Sequence, residues 1–359
     1  MTNVTQMDNC NILVVDDTPA NLTLLSSMLR EKGYGTRPVL SGKLALKAIE
    51  KEIPNLILLD INMPEMNGFE VCEHLKQDTR YKDIPVIFIS ALNETLDKVR
   101  AFGSGGVDYI TKPFQFEEVE ARVETHLKLR RYQVYLEDLV SEKVKEIFES
   151  QMSTIFALSK LAESRDNDTG AHLERVQIFC RIISERLSLD SPYRIIIEEN
   201  FIHNISNASP LHDIGKVAIP DHILLKPGKL TPTEFEEMKT HTIIGANTLE
   251  AVNQLYPKNT FINMGISIAR SHHERWDGKG YPDRLKGADI PLAARIMSVV
   301  DVYDALRSKR CYKESFSRLQ CQNIIESESG RQFDPILIDY FSSLEEEFNN
   351  IGHEMGYGA

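Results

Sequence analysis

Short apolar runs alternate with segments of helical periodicity over the first third of the chain. The runs are residues 11–15, a weaker one at 36–40, then 55–59, 85–90 and 106–110. This alternation is typical of a parallel sheet with helices packed on both of its faces. We therefore predict an α/β domain at residues 10–124, built on a five-stranded, doubly wound parallel sheet.

A helical pattern without proline or glycine follows, at residues 117–151. About 35 residues of helix would extend about 50 Å. Apolar side chains recur along it at spacings of three and four before the stripe shifts phase: Leu129, Tyr132, Leu136, Leu139, Val140, Val144 and Ile147. Such a stripe favours a parallel two-helix coil between protomers, with packing on the chain's own second domain as the alternative. We predict a coiled-coil-like linker at 125–151 and a homodimer formed through it.

The rest of the chain has helical periodicity alone, which predicts an all-α domain at residues 152–350. Helices are expected near 152–165, 170–188, 193–206, 232–254, 261–275, 292–307, 318–328 and 335–350. Pro192, Pro232 and Pro335 lie at or near three predicted starts, where the missing N–H costs least. Imidazoles and carboxylates within these helices need an explanation, because their burial is unfavourable unless they are paired or bound to a metal.

Composition and charge narrow the class of protein. With 359 residues, 42% of them hydrophobic, the chain is long enough for two domains with proper cores. A net charge of -12 without a basic stripe argues against a nucleic-acid polymer as partner. Five cysteines without CxxC spacing indicate a reducing compartment. The chain lacks a signal-peptide pattern and any run of about 18 apolar residues, so we expect a cytoplasmic protein with no membrane partner.

Polar residues stand at the predicted strand ends of the first domain. They are Asp16, Asp17, Asp60, Ser90 and Lys112. In parallel sheets of this type the ligand site lies beyond the carboxyl ends of the strands. Single acidic residues there are commonly caps or turns, but three carboxylates, a hydroxyl and a lysine at one edge favour a Mg²⁺ and phosphoryl site.

Histidines and aspartates recur through the second domain at intervals that suit ligands from several helices. They are His172, His212, Asp213, His241, His272, His273 and Asp301. Asp168 lies four residues before His172, so these two would share a helix face. Neighbouring helical side chains diverge by about 100°. The adjacent pairs therefore favour two ions, with each member of a pair on a different ion or with Asp213 bridging both. Such ligands suit Mn, Fe, Ni or Zn better than Mg or Ca.

The first domain resembles a response-regulator receiver domain, which has a flavodoxin-like fold, over about 11–124. The resemblance implies roles for these residues: Asp16, Asp17, Asp60 and the backbone carbonyl of Asn62 as Mg²⁺ ligands, Asp60 as the phosphoacceptor, and Ser90, Tyr109 and Lys112 as switch residues. Lys112 would contact the phosphoryl group. A receiver domain also implies a sensor histidine kinase as partner.

Six stretches occur in a fixed order through the second domain. They are RDNDTGAH (165–172), HDIGK with IPDHILLKPGKLT (212–231), MKTHTIIGA (238–246), HHERWDGKGYP (272–282), IPLAARI (290–296) and GRQFDP (330–335). Together they resemble an HD-GYP domain, the cyclic-dinucleotide phosphodiesterase branch of the HD hydrolases, over about 156–341. The GYP tripeptide alone would carry little weight.

This second resemblance implies a site residue by residue. The metal ligands would be His172, His212, Asp213, His241, His272, His273 and Asp301, while Asp304 would be a helix-surface or outer group. Asp168 takes the third-metal position, where many relatives carry a glutamate, so this chain departs from the pattern by one methylene. Two or three ions are expected. Lys216 and Asp213 would be catalytic, Arg310 and Lys313 would bind the substrate's phosphates, and Gly280 and Tyr281 would also contact substrate.

The two resemblances imply a phosphorylation-controlled phosphodiesterase that hydrolyses cyclic di-GMP to pGpG or GMP. A preference for cyclic GMP-AMP is one alternative. A second is a non-catalytic output module that binds a cyclic dinucleotide or a partner protein. A third is a di-iron redox enzyme on the same helical scaffold.

Overall fold

The computed structural model describes residues 10–91, 95–166, 171–308 and 315–357. The chain divides into two compact units between Lys145 and Glu146. None of the helices in these described segments is long and apolar enough to span a lipid bilayer.

The first unit is built on five parallel strands. They are β1 (Asn11–Val15), β2 (Gly35–Val39), β3 (Leu56–Asp60), β4 (Val86–Ala91) and β5 (Asp108–Lys112), in the spatial order β2-β1-β3-β4-β5. Five helices alternate with them: α1 (Pro19–Glu31), α2 (Gly42–Lys51), α3 (Gly68–Gln77), α4 (Thr95–Gly103) and α5 (Phe116–Glu163). The predicted doubly wound sheet is confirmed, and each predicted apolar run overlaps one strand.

The strand order explains where the polar residues of this unit meet. β1, β3 and most of β4 are buried, as expected for strands with helices on both faces. One apolar cluster lies on each side of the sheet, around Phe88 on one side and Leu25 on the other. Because β1 and β3 are hydrogen-bonded neighbours, the residues at their carboxyl ends lie side by side.

α5 is one helix of 48 residues and runs past the division between the two units. The sequence pattern predicts separate helices at 117–151 and 152–165. No proline or glycine interrupts Phe116–Glu163, so nothing in the backbone ends the helix earlier. The domain limits at 124 and 151 stay predictions.

The second unit is helical throughout its described residues, apart from one isolated bridge. Its helices are α6 (His172–Asp190), α7 (Glu199–Ala208), α8 (Asp221–Leu224), α9 (Pro232–Asn253), α10 (Thr260–Ser271), α11 (Leu292–Arg307), α12 (Arg318–Ser327) and α13 (Pro335–Glu354). Capping boxes start α9 and α12, and prolines occupy the first turns of α9 and α13. The predicted helix at 193–206 starts only at Glu199, because the segment before it forms turns.

The core of this unit lies between α6, α11 and α13. Phe179 of α6 stacks on Phe348 of α13 with ring centroids 4.4 Å apart. Tyr303 of α11 packs edge-on against Phe179 at 5.9 Å. All three rings are fully buried. This packing fixes the faces of α6 and α11 that carry candidate ligands.

Candidate functional site

Five segments of the second unit bring imidazoles and carboxylates together. His172 begins α6, His241 lies within α9 and Asp301 lies within α11. His212 and Asp213 stand between two short 3-10 helices, Ser209–Leu211 and Ile214–Ala218. His272 and His273 directly follow α10, which ends at Ser271. All of the predicted ligands within the described residues therefore reach one region.

Asp213 lies at the centre of this cluster. Its Oδ1 is 3.2 Å from His241 Nε2 and 3.6 Å from His272 Nε2. Its Oδ2 is 3.2 Å from His212 Nε2. The atoms form two groups, within each of which all ligand atoms lie within 4.8 Å of one another: Asp213, His241, His272 and His273 in the first, and His172, His212 and Asp301 in the second. Asp213 stands between the two groups.

The two adjacent pairs are placed differently. His272 and His273 fall in the same group, whereas His212 and Asp213 fall in different groups. The 100° divergence of neighbouring helical side chains does not apply to them, since both follow the last residue of α10. Asp213 stands between the two groups, and the sharing of ions within each pair stays a prediction.

Backbone carbonyls fix how three of these imidazoles are oriented. Nδ1 of His212, His241 and His272 lies 2.9 Å from the carbonyl of Ser209, 2.7 Å from that of Met238 and 3.0 Å from that of Ile268, respectively. A carbonyl only accepts, so each Nδ1 carries the proton and each Nε2 directs its lone pair towards Asp213. Among the described residues, these Nε2 atoms and Asp213 Oδ1 are buried without a hydrogen-bond partner. Such atoms are costly unless something binds them.

A divalent transition metal fits this donor set. Two ligands that are each about 2.1 Å from one ion lie roughly 3–4 Å apart, depending on the angle at the ion. The separations around Asp213, from 3.2 to 3.6 Å, fall in this range. His212 Nε2 and His172 Nε2 are each 3.9 Å from Asp301 Oδ1. The predominance of imidazole disfavours Mg²⁺ and Ca²⁺.

The protonation states of Asp213 and His273 suit metal binding. Burial would raise the pKa of Asp213, but the neighbouring Lys216 ammonium opposes this effect, and that pKa lies well below its usual value. Burial keeps the pKa of His273 well below the usual histidine value. An ionised carboxylate and a neutral imidazole are the forms that bind metals. Lys216 Nζ lies 2.8 Å from Asp213 Oδ2, so the predicted catalytic lysine is placed at the central carboxylate.

A buried network behind His172 was only partly anticipated from sequence. Asp304 Oδ2 is 2.6 Å from His172 Nδ1, and Arg175 donates to both oxygens of Asp304, at 2.6 and 2.9 Å. Tyr357, near the end of the chain, donates to Asp304 Oδ1 at 2.6 Å. Asp304 is fully buried. The helix-surface alternative for Asp304 is therefore wrong, and its place is behind a candidate ligand.

A cavity of about 800 Å³ opens beside His273. Its wall includes Phe235, Lys239, His273, Arg275, Gly280, Tyr281 and Arg284. The Tyr281 ring lies 4.8 Å from that of His273. The backbone at Gly280 lies so close to the backbone at Arg275 that a Cβ at position 280 would be 2.4 Å from Arg275 N. The two predicted substrate contacts Gly280 and Tyr281 thus line a cavity next to the cluster, whereas Arg310, Lys313 and Asp168 lie outside the described residues.

The first unit has an acidic cluster at the predicted strand edge. Carboxylate oxygens of Asp16, Asp17 and Asp60 lie within 4.8 Å of one another. Lys112 Nζ contacts Asp16 Oδ2 at 2.9 Å and Asp60 Oδ2 at 3.0 Å. Burial raises the pKa of Asp60, and the Lys112 ammonium offsets only part of that shift. Clustered carboxylates with one lysine fit a hard divalent cation such as Mg²⁺.

The other predicted receiver residues lie on β4, on β5 and just after β3. Ser90 is half-buried near the end of β4, and its hydroxyl donates to the carbonyl of Ala91 at 3.1 Å. Tyr109 is half-buried on β5, with Arg122 over its ring at 5.4 Å. Asn62 is exposed two residues beyond Asp60. Their switch and metal-binding roles stay predictions.

Comparison with known proteins identifies both units. Residues 12–124 match the response regulator receiver domain, and residues 157–337 match the HD domain. A protein of Vibrio cholerae named as a probable cyclic di-GMP phosphodiesterase is 42% identical over 97% of this chain and 80% of its own length. The cyclic di-GMP phosphodiesterase response regulator RpfG of Xanthomonas campestris is 37% identical over 92% of this chain and 86% of its own.

A third relative is similar over part of the chain. It is a 3'3'-cGAMP-specific phosphodiesterase of Vibrio cholerae, 39% identical over 56% of this chain and 36% of its own length. The HD match spans half of the chain, and the first two relatives align with both units in the same order. The chain therefore belongs to the response regulators in which a receiver domain precedes an HD domain.

Proposed function

We propose that this response regulator is a metal-dependent phosphodiesterase that hydrolyses cyclic di-GMP, to pGpG or GMP, in its HD domain. The observation that carries the proposal is the convergence of buried imidazole Nε2 atoms on Asp213. Two ions, or three if a further carboxylate takes part, would be held by His172, His212, Asp213, His241, His272, His273 and Asp301. Fe, Mn or Ni suits these donors.

Divalent ions bound there supply an activated water near neutral pH and stabilise charge on the phosphodiester oxygens. The chain's own contribution is positional. Carbonyls of Ser209, Met238 and Ile268 hold three imidazoles in the metal-binding tautomer. Lys216 keeps Asp213 ionised, and its ammonium lies where it can also offset charge that develops on the phosphate.

The cavity beside His273 suits an anionic, two-base ligand. Its volume of about 800 Å³ lies within the range of small-molecule sites. Positive side chains on the wall outnumber the carboxylates and could face phosphates: Lys239, Arg275, Lys279 and Arg284 against Glu236 and Glu274. Phe235 and Tyr281, whose ring centroids are 6.3 Å apart, offer aromatic surface for bases.

Cyclic di-GMP is the proposed substrate because the two relatives that align with nearly the whole chain are named for it. The cGAMP-specific relative favours cyclic GMP-AMP as a second candidate. A binding module without catalysis would not need the buried, unpartnered donors around Asp213. The receiver domain and the names of the relatives disfavour a di-iron redox enzyme.

The test is a panel of cyclic dinucleotides given to the full-length protein after reconstitution with Mn²⁺ or with anaerobic Fe²⁺. We expect hydrolysis of cyclic di-GMP at a higher kcat/KM than that of cyclic GMP-AMP, and loss of turnover in the presence of a chelator. Binding without turnover under every metal condition would support the non-catalytic module instead. Oxygen consumption by the iron form would point to redox chemistry.

We also propose that phosphorylation of Asp60 by a sensor histidine kinase controls this activity, with Mg²⁺ held by Asp16, Asp17, Asp60 and the Asn62 carbonyl. Asp60→Asn should abolish phosphoryl uptake from acetyl phosphate, because the acceptor carboxylate is lost. Asparagine has a similar size, so Lys112 keeps a neighbouring side chain at this position. Phosphate-affinity gels measure the uptake, and Asp78→Asn, at an exposed pair with Arg80, is the control. Undiminished uptake by Asp60→Asn would rule out this acceptor.

The linker stripe supports the predicted homodimer. Leu129, Leu136, Val140, Val144 and Ile147 are each more than half exposed in the protomer. Exposed apolar residues at helical spacing along one helix are the surface that a second copy of the same helix covers in a parallel coil.

A further inference from the structure

Arg165 connects the end of α5 to the short segment that carries Lys216. It stands two residues beyond α5, in the 3-10 helix Ser164–Asp166. Its guanidinium donates to three carbonyl oxygens: that of Ile219 at 3.2 Å, that of Lys216 at 3.4 Å, and that of Val217. The sequence pattern predicts no role for Arg165, because these partners lie 51 to 54 positions further along the chain.

The three carbonyls stand in and just after the 3-10 helix Ile214–Ala218. Carbonyls at the end of a helix need partners from outside the helix. A guanidinium is planar and presents five N–H groups in fixed directions, so it can bind several carbonyls at once. Hydrogen bonds from a charged donor are also stronger than those from a neutral one. The contacts of Arg165 therefore fix the backbone of this segment relative to the end of α5.

An ion pair between Arg165 and Asp221 adds less to this arrangement. Arg165 Nη2 lies 2.6 Å from Asp221 Oδ1, but the Asp221 side chain is 72% exposed. Water and salt screen such a pair, so its contribution is small. The contacts with the carbonyls are the part that holds the segment.

The place of the Lys216 ammonium depends on this segment. Lys216 Nζ lies 2.8 Å from Asp213 Oδ2, at the centre of the cluster of imidazoles and carboxylates. On the N-terminal side of Lys216, Gly215 packs so closely on α9 that a Cβ there would be 1.9 Å from the carbonyl oxygen of His241. On the C-terminal side, Arg165 holds the carbonyls. The backbone is therefore fixed on both sides of the lysine.

We propose that Arg165 is a positioning residue for the reaction: it holds the backbone after Lys216 and so keeps the lysine ammonium where it can offset charge on the phosphate. The inference rests on the proposed function and adds to it a residue that acts through Lys216. α5 begins at Phe116, within the residues matched by the receiver family. A movement of its last turn would reach the lysine through Arg165.

A purely structural role, in which Arg165 only stabilises the fold, is the competing explanation. The two explanations differ in how the effects of two substitutions combine. A structural role would lower turnover by reducing the amount of folded protein, whether or not Lys216 is present. A positioning role acts through Lys216, so loss of Arg165 would have little further effect once the lysine is removed.

The experiment is a double-mutant cycle with Arg165→Met and Lys216→Met in the full-length, Mn²⁺-loaded protein, with cyclic di-GMP as the substrate. We expect Arg165→Met to lower kcat at least about tenfold and to change KM less than about threefold, because a misplaced group acts on the transition state. In the Lys216→Met background the same substitution should lower kcat less than about twofold. Arg165→Lys keeps the charge but loses the planar fork, so its kcat should fall between those of wild type and Arg165→Met.

Amide hydrogen exchange of the metal-free proteins is the second measurement. Arg165→Met should speed exchange at residues 214–219, because the segment opens more often without the guanidinium. The matched control is Arg186→Met. The Arg186 side chain is 35% exposed, against 33% for Arg165, and pairs with Asp190 instead of the segment. The control should leave both kcat and exchange unchanged.

An equal loss of kcat with and without Lys216 would overturn the proposal, and so would wild-type kcat in Arg165→Met. Circular dichroism shows whether each variant is folded, and the same cycle is carried out with Arg165→Lys if Arg165→Met does not fold. A wild-type protein that hydrolyses no cyclic dinucleotide would refute the proposed function itself. Unchanged exchange at 214–219 in Arg165→Met would separately overturn the part assigned to Arg165.

Discussion

Replacing Asp213 with asparagine will lower the kcat for cyclic di-GMP about a thousandfold and remove at least one bound metal ion per chain. Asp213 is the carboxylate that three imidazoles contact, one at Oδ2 and two at Oδ1. Asparagine keeps the size of the side chain but removes its charge and leaves only one metal-binding oxygen. Loss of one preorganised electrostatic group costs roughly 10²–10³ in rate, and loss of a bound ion adds to that.

The measurement combines product analysis with metal analysis of the same preparation. Asp190→Asn is the matched control, because Asp190 lies exposed at the end of α6 and pairs with Arg186 at 2.9 Å. We expect the control to retain full turnover and metal content. Normal turnover by Asp213→Asn would remove this carboxylate from the mechanism, and full metal content with lost turnover would restrict it to catalysis.

The ligand set could be selected from sequence because its residue types are rare in helical segments. Buried imidazoles and carboxylates conflict with an apolar helix unless they are paired or metal-bound. Asp16 and Asp60 could be selected in a similar way, because each stands at the carboxyl end of an apolar strand. The two strands, β1 and β3, are neighbours in the sheet, so their carboxyl ends lie together. In both domains the local pattern and the chemistry pointed to the same residues.

What the sequence could not supply were contacts between distant positions. His172 and Asp304 are 132 residues apart, and Tyr357 reaches Asp304 from the last turn of the described chain. No periodicity relates such positions. The exact ends of helices were also difficult to predict. Because α10 ends at Ser271, His272 and His273 are not on a helix, and both belong to the group of ligand atoms that contains Asp213.

The Asp304 network yields the second large effect, on stability. Asp304→Asn will lower the free energy of unfolding of the HD domain by about 3 kcal/mol, because breaking a buried ion pair leaves Arg175 charged and uncompensated in the interior. Urea unfolding followed by fluorescence measures this. The single tryptophan, Trp276, lies in the HD domain and reports on that domain. A chelator in all samples separates the effect from metal binding.

The pH dependence of this loss distinguishes the charge from the shape of the side chain. Burial would raise the pKa of Asp304, but hydrogen bonds from Arg175 and His172 outweigh it and hold that pKa well below its usual value. A carboxyl group with a depressed folded-state pKa stabilises the protein above its unfolded pKa of about 4, and this contribution declines as the pH falls further. The part of the difference between wild type and Asp304→Asn that comes from the ionised carboxylate should therefore shrink as the pH falls below about 4. Asp190→Asn, at an exposed pair, should change the free energy of unfolding far less at every pH. An Asp304→Asn effect as small as that would show that the buried pair contributes little to the fold.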